Sequence, residues 1–293
     1  MPEGDVVLLT ARRLHAALAG RPLVRAELRW PTVAEAGLAG CTVREVVAYG
    51  KHLLVRLDDG RTLHTHLRMD GYWRIARTGT PEARGASPGV RAALANDLWT
   101  CLGHRLGMLD VVATRDEHRL LSHLGPDLLA DDFPDRVDEA VGRLVAADAV
   151  GGFHHERPPA VGLPVGDALL SQQGVAGIGT IYASESLAAE RVHPWAAVRD
   201  LGLPSGGARD AVLRRVLLTA RRLEQEALVA RGGPADVPRA VYGREGRPCR
   251  RCGTAVLRGV VNLPPYERQL YWCPACQPGP GPQPTGARSS GAR

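Results

Sequence analysis

Residues 49–67 read YGKHLLVRLDDGRTLHTHL, with an apolar run on either side of Asp59-Gly60. An Asp-Gly pair between such runs favours a hairpin turn, because these residues tolerate the backbone conformations that tight turns require. The stretch therefore predicts two antiparallel strands, His52–Leu57 and Thr62–Leu67. Comparable runs outside it predict five more strands, at Leu23–Trp30, Thr42–Ala48, Tyr72–Ala76, Asp97–Leu102 and Met108–Ala113.

Helices are expected on both sides of this β-rich region. Residues 5–19 carry apolar side chains at helical spacing and are followed by Gly20, which suits a helix end. After about residue 130 the period changes, and four helices are predicted at Pro134–Ala149, Val165–Gln173, Gly179–Glu190 and Ala208–Ala230. A leading helix followed by many short strands favours an antiparallel β-sandwich or barrel. The chain as a whole is predicted to be α+β.

Composition indicates a globular protein with a basic end. Hydrophobic residues make up 44% of the chain, no apolar run approaches the roughly 20 residues of a membrane span, and the start lacks signal-peptide features. We therefore expect a cytoplasmic protein with no membrane partner. Residues 244–293 hold eight Arg against two Glu, a charge of +6 that equals the charge of the whole chain. This distribution favours a polyanionic partner such as nucleic acid, with a merely solvated basic tail as the alternative.

Four cysteines form two C-x2-C pairs, Cys249/Cys252 and Cys273/Cys276. This spacing is typical of one tetrahedral Zn²⁺ held by four thiolates in a short ribbon, where the metal supplies folding energy. Paired disulfides are the alternative, which a cytoplasmic location disfavours. Because thiolates fill all four positions, the predicted zinc is structural. Residues 278–293, rich in Pro, Gly, Ser and Arg, are predicted to be a disordered tail.

Pro2 is a candidate nucleophile. Removal of Met1 would leave a secondary amine, and an α-amino group titrates near 7.7–8.0, well below about 10.4 for lysine. A neutral amine attacks an electrophilic carbon and forms an iminium, and the adjacent Glu3 is placed to transfer protons. An ordinary Pro-Glu start is the alternative. Lys51 is the only lysine among 37 basic residues, which suggests a position that requires a compact point charge rather than a planar guanidinium.

Four motifs occur in order along the chain: MPEG at 1–4, YGKHLL at 49–54, GIGTIYA at 177–183 and YWCPACQ at 271–277. Together they resemble the formamidopyrimidine-DNA glycosylase and endonuclease VIII family over residues 2–277. The start and the ending are more similar to the endonuclease VIII branch, which prefers oxidised pyrimidines. The same chemistry on oxidised purines is the nearest alternative.

This resemblance implies a bifunctional DNA glycosylase and apurinic/apyrimidinic (AP) lyase of base excision repair. Such an enzyme is expected to act on damaged or abasic DNA at the nucleoid, as a monomer without an organic cofactor. Residues 1–130 would form the catalytic β-sandwich domain, 131–243 a helix–two-turn–helix DNA-binding domain and 244–277 the zinc ribbon. In the family the proline amine attacks C1′ of the damaged nucleotide and the strand breaks by β,δ-elimination. Pro2 and Glu3 match the nucleophile and the proton-transfer carboxylate, and Lys51 matches a lysine that contacts phosphate.

The resemblance also implies the DNA contacts. Met69 matches a methionine that intercalates where the damaged base has been flipped out. Gly177 and Gly179 would let the backbone turn at a helix N-terminus that attracts phosphate, and Arg268 matches a phosphate-binding arginine. These expected contacts are completed by Arg105 and by Thr180, which stands where many members have Asn.

Two further stretches depart from the family pattern. His104 and Leu106 flank Arg105 where members often have an arginine and an aromatic residue that probe the opposite base. Asp5 and Val6 stand where many members continue with Pro-Glu.

Two other classes of protein remain as alternatives: a catalytically weak binder of damaged DNA, and a zinc-ribbon transcription factor, which leaves residues 1–130 without a purpose.

Overall fold

The computed structural model describes residues 2–150, 152–153, 162–202, 208–230, 233–261 and 267–281. The chain divides into two compact units, residues 1–130 and 131–293. From position 282 onward the predicted disordered tail lies outside the described residues. No helix in the described ranges is long and apolar enough to cross a bilayer.

The first unit begins with a helix and continues as two antiparallel sheets. Helix α1 spans Gly4–Leu18 and a short helix, α2, spans Glu117–Leu121. The eight strands between them are β1 Arg25–Leu28, β2 Val43–Tyr49, β3 His52–Leu57, β4 Arg61–His66, β5 Tyr72–Arg77, β6 Val90–Ala95, β7 Trp99–His104 and β8 Met108–Ala113. One sheet has the order β1-β6-β7-β5 and the other the order β2-β3-β4-β8.

One hydrophobic cluster joins α1 to both sheets of this unit. It includes Leu14 of α1, Leu53 and Leu63 of one sheet, and Leu94 of the other, all buried. Since the two sheets share a single core, the predicted β-sandwich with a leading helix is confirmed. At the predicted hairpin between β3 and β4, Gly60 has a φ of +82° and the side chain of Asp59 accepts a hydrogen bond from the backbone nitrogen of Arg61 at 3.0 Å.

Two elements of the first unit do not follow from the sequence analysis, which assigns neither β6 nor α2. Strand β6 contains three alanines, a residue type depleted in strands. However, Ala92 and Ala93 are fully buried between β1 and β7, where small side chains fit. Strand β7 runs from Trp99 to His104, two residues later than predicted.

In its described residues, the second unit has four α-helices followed by a hairpin. The helices are α3 Phe133–Ala149, α4 Val165–Leu170, α5 Thr180–Ala189 and α6 Arg209–Val229, and the hairpin strands are β9 Leu257–Val261 and β10 Arg268–Trp272. Helix α4 ends three residues before the predicted Gln173. The positive φ of Gln172, +65°, is incompatible with continuing the helix.

Candidate active site and metal centre

Pro2 and Glu3 lead directly into α1. Glu3 is the N-cap residue, with an extended backbone (φ −112°, ψ −174°) and no side-chain capping bond. Its carbonyl oxygen accepts a hydrogen bond from the Val7 nitrogen at 3.1 Å. Glu3 is only 1% exposed, whereas Pro2 is half-buried. A shielded carboxylate therefore follows a partly accessible proline at the start of the helix.

Asp5 provides a second buried carboxylate in the first turn of α1. It is 2% exposed, and its Oδ1 atom accepts a hydrogen bond from the Val6 nitrogen at 2.7 Å. Glu3 and Asp5 both take part in further polar contacts within the chain, as buried charged groups normally do. Two carboxylates that are shielded from water, those of Glu3 and Asp5, therefore lie within three residues of Pro2.

Lys51 lies in a two-residue turn between β2 and β3, where Tyr49 pairs with His52. Its neighbour Gly50 has a φ of +54°, and Lys51 itself is only 8% exposed. Burial lowers the pKa of His66 to about 4, with the charges of Arg68 and Lys51 contributing. Lys51 is thus a shielded cation at the end of the sheet where His66 lies.

Met69 and Arg105 lie on two turns that pack against each other. Met69 is 60% exposed in the turn between β4 and β5. Arg105, in the turn between β7 and β8, has a φ of +49° and reaches Asp70 with Nη1 3.4 Å from Oδ2. Gly71 is required here because a Cβ atom at this position would lie 2.4 Å from the Leu67 carbonyl oxygen. The structure therefore brings these two predicted residues to one surface.

Gly177, Gly179 and Thr180 form the entry to α5. Gly177 has a φ of +110°, which favours glycine, while Gly179 is the N-cap residue with an extended φ of −122°. Thr180, the first residue of the helix, is 8% exposed. The turn is held by Gln172, whose Oε1 accepts from the Gly177 nitrogen at 3.0 Å and whose Nε2 donates to the Ile178 oxygen at 2.8 Å.

The four cysteines of the ribbon converge on one point. All four sulfur atoms lie within 4.8 Å of one another. The Cys252–Cys273 and Cys252–Cys276 sulfur pairs are 3.4 Å apart and the Cys249–Cys276 pair is 4.0 Å apart. A tetrahedron with 2.3 Å metal–sulfur bonds has edges of about 3.8 Å, so the cluster fits one metal ion held by four thiolates.

Two buried side chains connect the helices of the second unit to this ribbon. The carboxylate of Glu185 in α5 accepts hydrogen bonds from three consecutive backbone nitrogens, those of Ala240, Val241 and Tyr242. Gln277 is fully buried. It donates from Nε2 to the Val192 oxygen at 2.7 Å and accepts at Oε1 from the Cys273 nitrogen at 3.0 Å. The cysteine cluster is therefore anchored to the helical part of its unit.

Arg268 begins β10 and pairs with Val261 of β9. Its Nη1 atom donates to the Glu267 carbonyl oxygen at 2.9 Å, and the residue is half-buried. Residues 262–266, which connect the two strands, lie outside the described residues. Trp272, at one end of β10, adjoins the cysteine pair 273 and 276. Arg268 therefore lies at the other end of the hairpin, away from these cysteines.

Comparison with known proteins identifies the family. The model for the formamidopyrimidine-DNA glycosylase N-terminal domain matches residues 1–103. A probable endonuclease 8 2 from Streptomyces coelicolor is 41% identical over 287 residues, covering 98% of this chain and 97% of that protein. This chain belongs to the formamidopyrimidine-DNA glycosylase and endonuclease VIII family. It lies in the endonuclease VIII-like branch, as the motifs at both ends indicated.

A further relative agrees with this placement, and solved structures share the fold. Endonuclease 8 2 of Mycobacterium tuberculosis is 37% identical over 279 residues, covering 94% of this chain and all of that protein. A formamidopyrimidine-DNA glycosylase of Lactococcus lactis, solved with DNA containing an AP site, has the same fold. Its TM-score is 0.75 at 21% identity, with 94% of this chain and 100% of that chain covered. The same enzyme bound to DNA with an oxidised pyrimidine gives a TM-score of 0.74 at 21% identity, covering 95% and 100%.

Several residues that build these sites were not singled out by the sequence analysis. The side chain of Gln172 bonds backbone groups of the Gly177 turn. The side chain of Glu185 bonds backbone nitrogens of residues 240–242, which are distant in sequence. Leu106, which stands where family members often have a residue that probes the opposite base, is 2% exposed and packs in the core. The sequence gives no signal that tells whether a leucine in a strand-connecting turn is buried in the core or exposed toward DNA.

Proposed function

We propose that this member of the DNA glycosylase and AP lyase family removes oxidised bases, with pyrimidines favoured, through a Schiff base on Pro2. The observation that carries the proposal is the partly accessible Pro2 followed by Glu3, a carboxylate shielded from water at the N-cap of α1. Relatives that cover nearly the whole chain support it. Besides the endonuclease 8 proteins, they include the DNA-(apurinic or apyrimidinic site) lyase Nei2 of Mycolicibacterium smegmatis, 35% identical over 277 residues.

The chemistry begins with the neutral amine that Pro2 presents after loss of Met1. Its lone pair attacks C1′, and the C1′–N bond electrons leave with the base, which takes up a proton. Glu3 transfers the proton that opens the sugar ring at O4′, leaving an iminium between the proline nitrogen and C1′. Burial suits this task, because it keeps bulk water away from the proton that is transferred.

The iminium then promotes strand cleavage. It withdraws electrons and acidifies C2′, so that loss of a C2′ proton expels the 3′ phosphate in β-elimination. A second elimination expels the 5′ phosphate and leaves phosphate at both ends of the gap. We propose that Lys51 holds a phosphate of the damaged nucleotide during these steps, as its shielded position beside His66 would strengthen a contact with an anion.

The remaining predicted residues are proposed to hold the DNA. The N-terminus of α5, with the positive-φ turn at Gly177 and the helical N–H groups after Gly179, would bind a backbone phosphate. Because Thr180 is buried, its contact is proposed through the backbone nitrogen. Arg268 would bind a second phosphate, and Met69 would fill the space left by the flipped base, with Arg105 beside it.

We propose that the ion held by Cys249, Cys252, Cys273 and Cys276 is zinc. Four thiolates in a tetrahedral arrangement are the usual structural zinc site, whose contribution is folding energy rather than catalysis. The anchoring by Glu185 and Gln277 supports this role, since a metal that orders the ribbon also positions it against α5.

Defined oligonucleotides test the substrate assignment. We expect faster release from duplexes carrying thymine glycol or 5-hydroxyuracil than from duplexes carrying 8-oxoguanine, with phosphate at both ends of the gap. Faster release of 8-oxoguanine would reassign the substrate to oxidised purines, and an unsaturated aldehyde at the 3′ end would show β-elimination alone.

The Glu3→Gln variant should lose base excision more than cleavage of existing AP sites. Full glycosylase activity in that variant would contradict the role of Glu3.

A further inference from the structure

The two turns that carry Met69 and Arg105 also present an aromatic side chain. Tyr72, the first residue of β5, is 49% exposed, although tyrosine usually covers its ring in a folded domain. It follows the Met69 turn directly and pairs across the sheet with His104 of β7. Met69, Tyr72 and Arg105 therefore lie on adjoining segments at one end of this sheet.

The ring of Tyr72 is held in a fixed orientation by His104. Their ring centroids are 4.8 Å apart and their planes differ by 7°, a stacked arrangement. In the described part of the chain no other ring contacts Tyr72. Tyr72 therefore has one face on His104 and nearly half of its surface open to solvent. A rigid, exposed aromatic platform of this kind suits stacking on another flat ring.

The surroundings of this platform favour an anionic partner. Arg74 and Arg105 are exposed beside it, and Arg68 is exposed in the turn that precedes it. Arg74 and Arg105 lie close enough to His104 that their charges, together with the larger effect of burial, lower its pKa. Asp70 is the acidic side chain that contacts Arg105. Bases on a polyanionic backbone combine the two properties, flat rings and negative charge, that this surface complements.

The neighbouring turn offers no aromatic side chain of its own. Leu106 is buried against Gly103 and Trp73, since a Cβ atom at Gly103 would lie 2.5 Å from the Leu106 side chain and 3.2 Å from the Trp73 ring. When a damaged nucleotide leaves the duplex, the base opposite it loses its partner and part of its stacking. An exposed aromatic residue next to the intercalating methionine is positioned to replace that stacking.

We propose that Tyr72, supported by His104, stacks on the base opposite the lesion and thereby influences opposite-base preference. This inference rests on the proposed function, because it requires a flipped nucleotide. It assigns the contact with the opposite base to β5, because His104 and Leu106 replace the residues that often make this contact in the family.

Duplexes with and without an opposite base test this proposal. Both carry a non-cleavable tetrahydrofuran abasic analogue. In one the opposite position holds a normal base, and in the other it holds a second abasic analogue. We expect Tyr72→Ala to weaken binding about tenfold on the first duplex, the scale of a lost base–aromatic stack, and to leave binding to the second unchanged. Tyr72→Phe should bind both duplexes like the wild type, since it keeps the ring.

Two controls separate the possible outcomes. Leu98→Ala, just before β7 at the end of the strand opposite His104 and 37% exposed, should leave both affinities unchanged, and melting temperatures should confirm that each variant is folded. Equal loss on both duplexes, or no loss on either, in the Tyr72→Ala variant would overturn the assignment of Tyr72 alone. Failure of the wild type to form a borohydride-trapped complex with a genuine abasic duplex would overturn the proposed function and this inference with it.

Discussion

The Oε1 atom of Glu185 accepts a hydrogen bond from the backbone nitrogen of Val241 at 2.9 Å. Glu185 is 7% exposed and lies in α5, the helix that begins at the Gly177 turn, whereas Val241 lies in the segment that leads into the cysteine ribbon. Two elements proposed to hold DNA, the α5 N-terminus and the ribbon, are thus connected through one carboxylate.

Replacing Glu185 by Ala should loosen this connection. Three backbone N–H groups would lose their acceptor, and a buried unsatisfied donor costs about 1–3 kcal/mol. We expect a lower melting temperature and weaker binding to abasic duplex DNA. Glu226→Ala is the matched control, because Glu226 is exposed in α6 and its ion pair with Arg222 is worth at most about 1 kcal/mol. Equal effects of the two variants would contradict the proposed connection.

The ribbon should contain one zinc ion per chain, measurable by elemental analysis of the purified protein. Removal of the ion by a chelator should lower the melting temperature and abolish DNA binding, since the buried apolar cluster around the cysteines is small. Cys252→Ser should have the same effect, whereas Cys41→Ser, outside the cluster, should retain the metal. A stoichiometry near zero in active protein would show that the cysteines do not hold a required ion.

The positive φ of Gly177 gives a second matched pair of variants. Gly177→Ala forces a side chain into a backbone conformation at +110° and should cost at least about 1 kcal/mol of stability, together with DNA affinity. Gly142→Ala lies in the middle of α3, where an added Cβ atom meets nothing within 4 Å. It should stabilise the protein by about 0.5–1 kcal/mol. Chemical denaturation measures both, and a stabilised Gly177→Ala variant would contradict the described turn.

Histidines near Lys51 should make the stability depend on pH. Burial, with the charges of neighbouring histidines, lowers the pKa of His52 to about 2, and burial lowers that of His66 to about 4. In the unfolded chain both titrate near 6.5. Between these values only the unfolded state binds the proton, so the free energy of unfolding should fall as the pH drops from about 6.5 toward 4.

A histidine variant separates this effect from the titration of carboxylates. His66→Gln should reduce the slope of stability against pH in that window by up to about 1.4 kcal/mol per pH unit. Denaturant melts at several pH values give the comparison, and identical slopes for wild type and His66→Gln would exclude the assigned low pKa.

The sequence predicts those parts of the molecule that short-range patterns determine. The Asp59-Gly60 turn, the four helices of the second unit and the paired cysteines depend on neighbours in the chain, and the structure has them. Strand β6 escapes prediction because burial between β1 and β7, rather than strand propensity, selects its alanines. The burial of Leu106 and the exposure of Tyr72 likewise depend on how two distant turns pack together.

Trapping with borohydride tests the central claim most directly. Borohydride reduces an iminium to a stable amine, so wild-type protein incubated with abasic duplex DNA should yield a covalent complex. Mass spectrometry of its peptides should place the deoxyribose remnant on the nitrogen of Pro2, and Pro2→Gly should trap far less. A cross-link on another residue such as Lys51, or protein that still carries Met1 and cleaves abasic DNA at full rate, would contradict the mechanism.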